Sequence, residues 1–301
     1  MKELIVNADD FGVTRHVSQG IISAHRQGIV TSTTLLANGK AFDCALSMGL
    51  REPGLGIGIH LNLSQWTPVS PAFRIPTLVD PRGRLHLTPG RLWVGLLKHQ
   101  VSLTDIAREL HAQIEKAMRA GLRPTHLDGH KHVHVLPGVA SIVIRLARRF
   151  DIRWVRCPVE PAPNLGRLLD SNPGARTAVL KQYLVGRALS GLARRFRRQL
   201  IRAGLSGPDH FYGLSETGFL NAQSLQDILG RVSEGQSELM CHPGCVDLEL
   251  IQTGTRLLSQ RAVEHHALTA PEVRQLVADQ GIRLVSYRDL ARSRRPAEAV
   301  A

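Results

Sequence analysis

An α/β fold is what this sequence predicts: a (β/α) barrel of seven or eight strands, closed or nearly closed, distorted in places, with a basic helical insertion. Two observations carry that expectation. Short apolar, β-branched runs alternate with longer helical stretches from one end of the chain to the other, the pattern of a parallel sheet with crossover helices. The 301 residues, 43% of them hydrophobic, are also enough to bury a barrel-sized core. One barrel domain is expected over residues 1–295, with the insertion at about 164–207 and a disordered tail at 296–301.

The first strand covers residues 4–8 (LIVNA) and runs into two acids. A helix at 15–27 is closed by Gly28, a common helix terminator. Residues 29–35 are β-branched and strand-like. A helix at 41–50 leads into a strand at 56–62. Residues 64–91, rich in Pro, Gly and Thr, read as a long loop over one end of the domain, and loops of that length are more often functional than idle. A helix at 104–120 precedes a strand at 124–128, a helix at 137–150 and a strand at 153–156. After the basic segment come a short strand at 210–212, a helix at 222–233, a strand at 238–241, a helix at 270–280 and a strand at 283–286. No internal repeat interrupts this series.

No stretch approaches the roughly 20 uninterrupted apolar residues that span a bilayer. The N-terminal apolar run is too short for a secretion signal, so a cytoplasmic protein is expected. Four cysteines make no disulfide framework and are expected as thiols. Lys and Arg exceed Asp and Glu by 13, and the excess is clustered. Residues 145–202 hold 14 Lys or Arg against three acids, Asp151, Glu160 and Asp170. Such clustering points to an anionic surface, nucleic acid or lipid headgroups, or to a solvated basic face. An aromatic content of 4%, with no helix-turn-helix, zinc finger or aromatic-interleaved basic patch, speaks against nucleic acid.

Polar clusters lie at the C-terminal ends of four of these strands: Asn7-Ala8-Asp9-Asp10, Ile59-His60-Leu61-Asn62, His126-Leu127-Asp128-Gly129-His130 and Cys241-His242-Pro243-Gly244. In a β/α barrel that face is the catalytic one. The set holds Asp and His in the numbers a divalent metal needs, with acids left over. Each cluster alone has a plainer reading. Asp9-Asp10 before Phe11-Gly12 suits a helix-capping turn, and His60 alone suits a hydrogen-bonded core histidine. His126, Asp128, His130, His132 and His134 have period two and would share a strand face. Gly129 and Lys131 argue instead that the strand ends at Asp128 and the rest spills onto the rim. Cys241, His242 and Cys245 lack the partner pair of a structural zinc site.

Taken together, these motifs resemble the YdjC-like carbohydrate deacetylases over nearly the whole chain. Residues 6–12 (VNADDFG), 28–34 (GIVTSTT), 58–61 (GIHL), 124–134 (PTHLDGHKHVH) and 240–244 (MCHPG) carry the resemblance. It implies a (β/α)-barrel hydrolase that cuts N-acetyl groups from chito-oligosaccharides or related glycosides. It also implies a metal held by the second Asp of the opening motif and two His, here Asp10, His60 and His130. The implied ion is magnesium, whereas one carboxylate with two imidazoles chemically favours zinc or a similar transition ion. Amide hydrolysis needs a water nucleophile at neutral pH, which such an ion supplies. Asp9, beside Asp10, is then the natural general base, provided the strand has ended there, because consecutive strand residues point to opposite faces. His242 is placed to protonate the leaving amine. Arg156 is placed to orient Asp9 by a charge-assisted pair.

Residues 164–207 depart from this pattern, being longer and more basic than in members acting on plain sugar oligomers. Val185, Leu189, Leu192 and Phe196 fall on one helical face, with Arg187, Arg194 and Arg198 opposite. That is the make-up of a membrane-surface helix, or of a helix packed on the barrel with a solvated Arg face; Gly186 and Gly191 weaken it in isolation. The sequence looks like the hopanoid-biosynthesis-associated branch of the family, which implies an N-acetylglucosaminyl hopanoid as substrate. The expected partners are an amino sugar, lipid-linked in that branch, and an anionic membrane surface; nucleic acid is not expected. Rival readings are a non-catalytic basic sugar- or nucleic-acid-binding barrel and a metallo-phosphoesterase, since Asp/His clusters also serve phosphate esters.

Overall fold

The computed structural model describes residues 1–293, and the tail expected at 296–301 lies outside them. Eight parallel strands make one sheet: β1 (Lys2–Phe11), β2 (Ser32–Leu35), β3 (Gly56–Leu61), β4 (His126–Gly129), β5 (Trp154–Val155), β6 (His210–Tyr212), β7 (Gly235–Cys241) and β8 (Ile282–Leu284). Their order is β5-β4-β3-β2-β1-β7-β6, with β8 also on β1. β1 is the axis of the sheet. On one side β7 follows it from Lys2 to Ala8; on the other, β8 pairs with Lys2 to Leu4 and β2 with Asn7 to Phe11. Leu4, Val6 and Ala8 point into the main core under the helices, while Ile5 joins Trp154, Val285, Tyr287 and Leu290 inside the curl. Both faces of β1 are buried, which is why it reads as an almost continuous apolar run.

The sheet curls into a half-barrel. Among the described residues no β5–β6 ladder joins its two edges. Part of the gap is spanned by a bridge between Trp154 and Ser206, with Val155 N–H donating to the Ser206 carbonyl at 2.9 Å. β5 is only two residues long and is followed directly by the insertion, so closure rests on that bridge and on helical packing rather than on strand pairing.

Local chemistry fixes most helix starts. Thr14 accepts from Val17 N–H to cap the helix Arg15–Gln27, and Ser102, Asn164, Asn221 and Asp247 cap theirs in the same way. The expected loop at 64–91 contains a 3-10 turn, Ala72–Arg74, and the start of a helix, Pro89–Leu97, capped by Thr88. Pro89 reads as loop punctuation in sequence, yet proline is well tolerated in a first helical turn. The sequence reading also omits the helices Leu248–Gln252, Ser259–Thr269 and Tyr287–Ser293.

The insertion is dominated by a 27-residue helix, Arg176–Arg202, which buries Val179, Gly186, Ser190, Ala193, Phe196 and Leu200. This line is rotated from the expected apolar face: Leu189 and Leu192 are half-buried and Val185 is exposed. Small residues decide the rotation by letting the helix approach closely; a Cβ on Gly186 would stand 2.7 Å from Ser215 Oγ. Arg187 does not face solvent as expected but donates to the Glu160 carbonyl at 3.0 Å, whereas Arg194 and Arg198 are exposed. Among the described residues no helix is long and apolar enough to cross a membrane.

Candidate active site

The site is built where β1 loses its regular pleat. Asp10 has a left-handed backbone (φ 68), and the β1–β2 register slips between Ala8 and Phe11. This bulge turns two consecutive acids toward one place, which a regular strand would forbid. The strand therefore does not end before Asp9 and Asp10, as the alternation argument requires; it bends through them. His60 Nε2 lies 4.0 Å from Asp9 Oδ2 and 3.5 Å from Asp10 Oδ1.

Asp10, His60 and His130 bring three ligand atoms together. His130 Nδ1 is 3.1 Å from Asp10 Oδ1 and 3.3 Å from His60 Nε2. The far side of each group is tied elsewhere. His60 Nδ1–H donates to Asp128 Oδ1 at 2.7 Å, His130 Nε2–H to Gln65 Oε1 at 2.7 Å, and Asp10 Oδ2 accepts from Arg261 Nη2 at 2.5 Å. These bonds leave Asp10 Oδ1 buried without a hydrogen-bond partner and leave a lone pair on each facing nitrogen. Three such lone pairs repel one another unless a cation lies between them. Ligands about 2.0–2.1 Å from a tetrahedral ion stand about 3.4 Å apart, so the observed separations fit one divalent ion. A carboxylate behind an imidazole is also the usual way a metal-binding histidine is oriented.

Electrostatics follow the same geometry. Burial raises the Asp10 carboxyl, but Arg261 and His130 outweigh it and hold the group well below the usual carboxylate range. Burial disfavours the charged His60 imidazolium, yet Asp128, Asp9 and Asp10 lift it to about 9. The same three carboxylates would favour a cation at this place, and a divalent ion would compete with the proton for the His60 Nε2 lone pair.

Arg156 is the hub behind Asp9. Its Nη1 and Nη2 fork onto Asp9 Oδ2 and Oδ1 at 2.7 and 2.6 Å, Nε donates to Glu238 Oε1 at 2.8 Å, and Nη1 reaches Asp128 Oδ2 at 2.9 Å. Asn7 Nδ2 adds a bond to Asp9 Oδ1 at 3.0 Å. Burial raises the Asp9 carboxyl, but Arg156, His60 and His242 together hold it well below the carboxylate range. His242 Nε2 stands 4.0 Å from Asp9 Oδ2, and its backbone N–H donates to Glu264 Oε2 at 2.5 Å. Burial pushes the His242 ring down to about 4, against the pull of Asp9 and Asp10. Cys241 is buried with its Sγ on the Asn7 carbonyl while Cys245 is exposed, so the two do not flank a shared site.

The six residues singled out from sequence, Asp9, Asp10, His60, His130, Arg156 and His242, therefore surround one place. Four supporting groups escape that reading. Asp128 belongs to a motif that was noticed but had no role. Arg261 and Glu264 come from the unforeseen helix Ser259–Thr269, and Gln65 from a loop; no spacing or motif marks them. A cavity of about 430 Å³ opens over the cluster. Asp9, Asp10, His60, His130 and His242 form its floor, and Val185, Leu189, Leu214, Met240 and Leu257 give it an apolar wall.

The chain is similar over most of its length to several known proteins. The family model for YdjC-like protein matches residues 3–279. A carbohydrate deacetylase of Brevibacillus brevis is 35% identical over 96% of this chain and 99% of its own. A chitooligosaccharide deacetylase of Klebsiella pneumoniae is 34% identical over 95% and 98%. A carbohydrate deacetylase of Mus musculus is 33% identical over 99% and 97%. A crystal structure from Enterococcus faecalis, provisionally assigned to cellobiose-phosphate cleavage, superposes with a TM-score of 0.74 at 29% identity over 96% of this chain and 98% of that one. With a family match over nearly its whole length, the chain belongs to the YdjC-like protein family.

Proposed function

We propose that this protein hydrolyses the N-acetyl group of an amino sugar, with Asp10, His60 and His130 holding one divalent ion. The hydrolase class follows from the family, three of whose relatives above are named carbohydrate or chitooligosaccharide deacetylases. The observation that carries the metal-dependent reading is the fork-held Asp9 carboxylate beside three convergent ligand atoms at the floor of a sugar-sized cavity. A bound ion would supply Lewis acidity at the amide carbonyl and lower the pKa of water. Two imidazoles suit a zinc-like ion, while the family resemblance implies magnesium.

The residues themselves divide the proton work. The fork from Arg156 fixes the plane of Asp9 and keeps it ionised, ready to accept a proton from the attacking water. His242, neutral at rest and 4.0 Å from Asp9, relays a proton to the nitrogen as the C–N bond breaks. The products are acetate and the free amine, so one water is consumed and no other reactant is needed. The test is acetate release from N,N′-diacetylchitobiose before and after chelation. Release that stops on chelation and returns with added ion supports the reading; phosphate release from p-nitrophenyl phosphate without acetate release contradicts it.

A finer reading concerns the aglycone. The apolar wall of the cavity continues outward along the helix Arg176–Arg202 into exposed Leu180, Leu184 (59% exposed) and Val185, on a helix that also exposes Arg194, Arg195 and Arg198. This favours a lipid-linked amino sugar, such as an N-acetylglucosaminyl hopanoid, met at an anionic membrane surface. Binding to anionic vesicles should fall with salt and with Arg194→Gln plus Arg198→Gln, each Arg contributing about 1 kcal/mol. Protein that stays in the supernatant at low salt contradicts it.

A further inference from the structure

Four of the five His and Asp side chains in the run His126 to His134 have evident partners. His126 Nε2 meets Asn7 Oδ1 at 3.1 Å and its ring stacks on Tyr287. Asp128 holds His60 and Arg156, and His130 belongs to the ligand triad. His134 Nε2–H donates to the Arg156 carbonyl at 3.2 Å. His134 Nδ1 is also buried without a partner, but His132 differs in having no bond at either nitrogen among the described residues. It is 6% exposed, and its Nδ1 is buried. Yet it lines the same cavity as Asp9, Asp10, His60 and His130.

The backbone deepens the contrast. Lys131 (φ 51, ψ 29) and His132 (φ 55, ψ 29) are consecutive left-handed residues, and neither is glycine. Strain of this kind persists where surrounding structure or function demands it. Here it turns His132 inward, beside Phe211, whose ring meets it edge-on at 6.0 Å. Phe211 forms a small apolar cluster with Leu214 and Met240, apart from the main core, and both of those line the cavity. Were His132 only a packing group in this corner, phenylalanine would fill it without leaving polar atoms unpaired.

The geometry points to His132 as a substrate-binding residue whose Nε2 hydrogen-bonds the acetamido group of the bound sugar, with Leu214 and Met240 against the acetyl methyl. This rests on the deacetylase reading and adds to it a contact that neither the metal triad nor Asp9 supplies. An acetamido group carries an apolar methyl beside a strong donor and acceptor, which matches an unpaired imidazole set against an apolar wall.

The test compares His132→Phe with the wild type for three quantities: melting temperature, bound metal by elemental analysis, and kcat/KM on N,N′-diacetylchitobiose. A substrate contact predicts metal content at the wild-type level, a melting temperature equal or higher because a buried unpaired polar atom is gone, and kcat/KM lower by about tenfold or more. His132→Gln, which keeps a polar end, should recover part of the loss. Wild-type kcat/KM within about twofold in His132→Phe overturns the inference, and so does loss of the metal, which would make His132 a support of the ligands. Should the Phe variant fail to fold, His132→Leu decides by the same criteria. A wild type that releases no acetate from N-acetylated amino sugars overturns the deacetylase reading itself, and this inference with it.

Discussion

Asp128 binds His60 through one oxygen and Arg156 and Thr34 through the other, so it couples the proposed ligand set to the guanidinium that grips Asp9. Asp128→Asn keeps the size of the side chain but offers an amide where His60 Nδ1–H and Arg156 both need an acceptor. Loss of such an outer partner typically weakens metal affinity by about 10–100-fold, and a metal titration of the variant should show that decrease; unchanged affinity would mean that His60 is oriented by packing alone. At this scale the sequence is informative where chemistry clusters at strand ends. Asp9, Asp10, His60, His130 and His242 stand out because acids and imidazoles follow directly on apolar runs. Arg261 and Gln65, which tie back Asp10 and His130, are invisible because nothing in their neighbours distinguishes them from surface residues until the fold brings them in.

β1 shows what periodicity can and cannot say about an element. Its apolar run is plain in the sequence, but the faces that Leu4, Ile5 and Val6 take are not, and the bulge that turns Asp9 and Asp10 together depends on a left-handed residue that is not glycine. The insertion helix is legible as a helix; its buried line is not, because Gly186, Ser190 and Ala193 face inward by virtue of being small rather than apolar. Element packing also places His242. The helix Arg15–Gln27 presents Gly20 to the loop after β7, and a Cβ there would stand 2.6 Å from Gly244 Cα. Backbone cannot yield as a flexible side chain can, so Gly20→Ala should cost on the order of 1–3 kcal/mol and move the loop carrying His242. Denaturant unfolding together with kcat would show both effects. A variant of wild-type stability and activity would mean that the helix can simply shift away.

Across the whole molecule, Glu160 fastens the open end of the half-barrel. It follows β5, accepts the backbone N–H groups of Leu214 and Ser215 beyond β6 at 2.8 and 3.1 Å, and its carbonyl takes Arg187 from the insertion helix. Burial and the neighbouring Glu216 push its carboxyl up to about 8. In the folded protein it therefore keeps a proton through a range where the unfolded chain has already lost it. Between the ordinary glutamate range and about pH 8, stability should fall as pH rises, the reverse of a salt-bridged acid. Glu160→Gln should flatten that decline in melting temperature; an unaltered slope would place its origin elsewhere.

The count of β-α units in the sequence gives the parallel sheet, but not the way its edges meet, which depends on this buried acid and on a helix arriving between β5 and β6. The proposed mechanism asks two adjacent residues of β1 to take different parts, Asp10 as ligand and Asp9 as base. Acetate release from N,N′-diacetylchitobiose by Asp9→Asn, at metal content matched to the wild type, tests that division most directly. General-base catalysis contributes about 10²–10⁴-fold, so the account predicts a variant with full metal and a loss of at least about 10²-fold. A loss under about tenfold, or a variant that no longer holds metal, would contradict it.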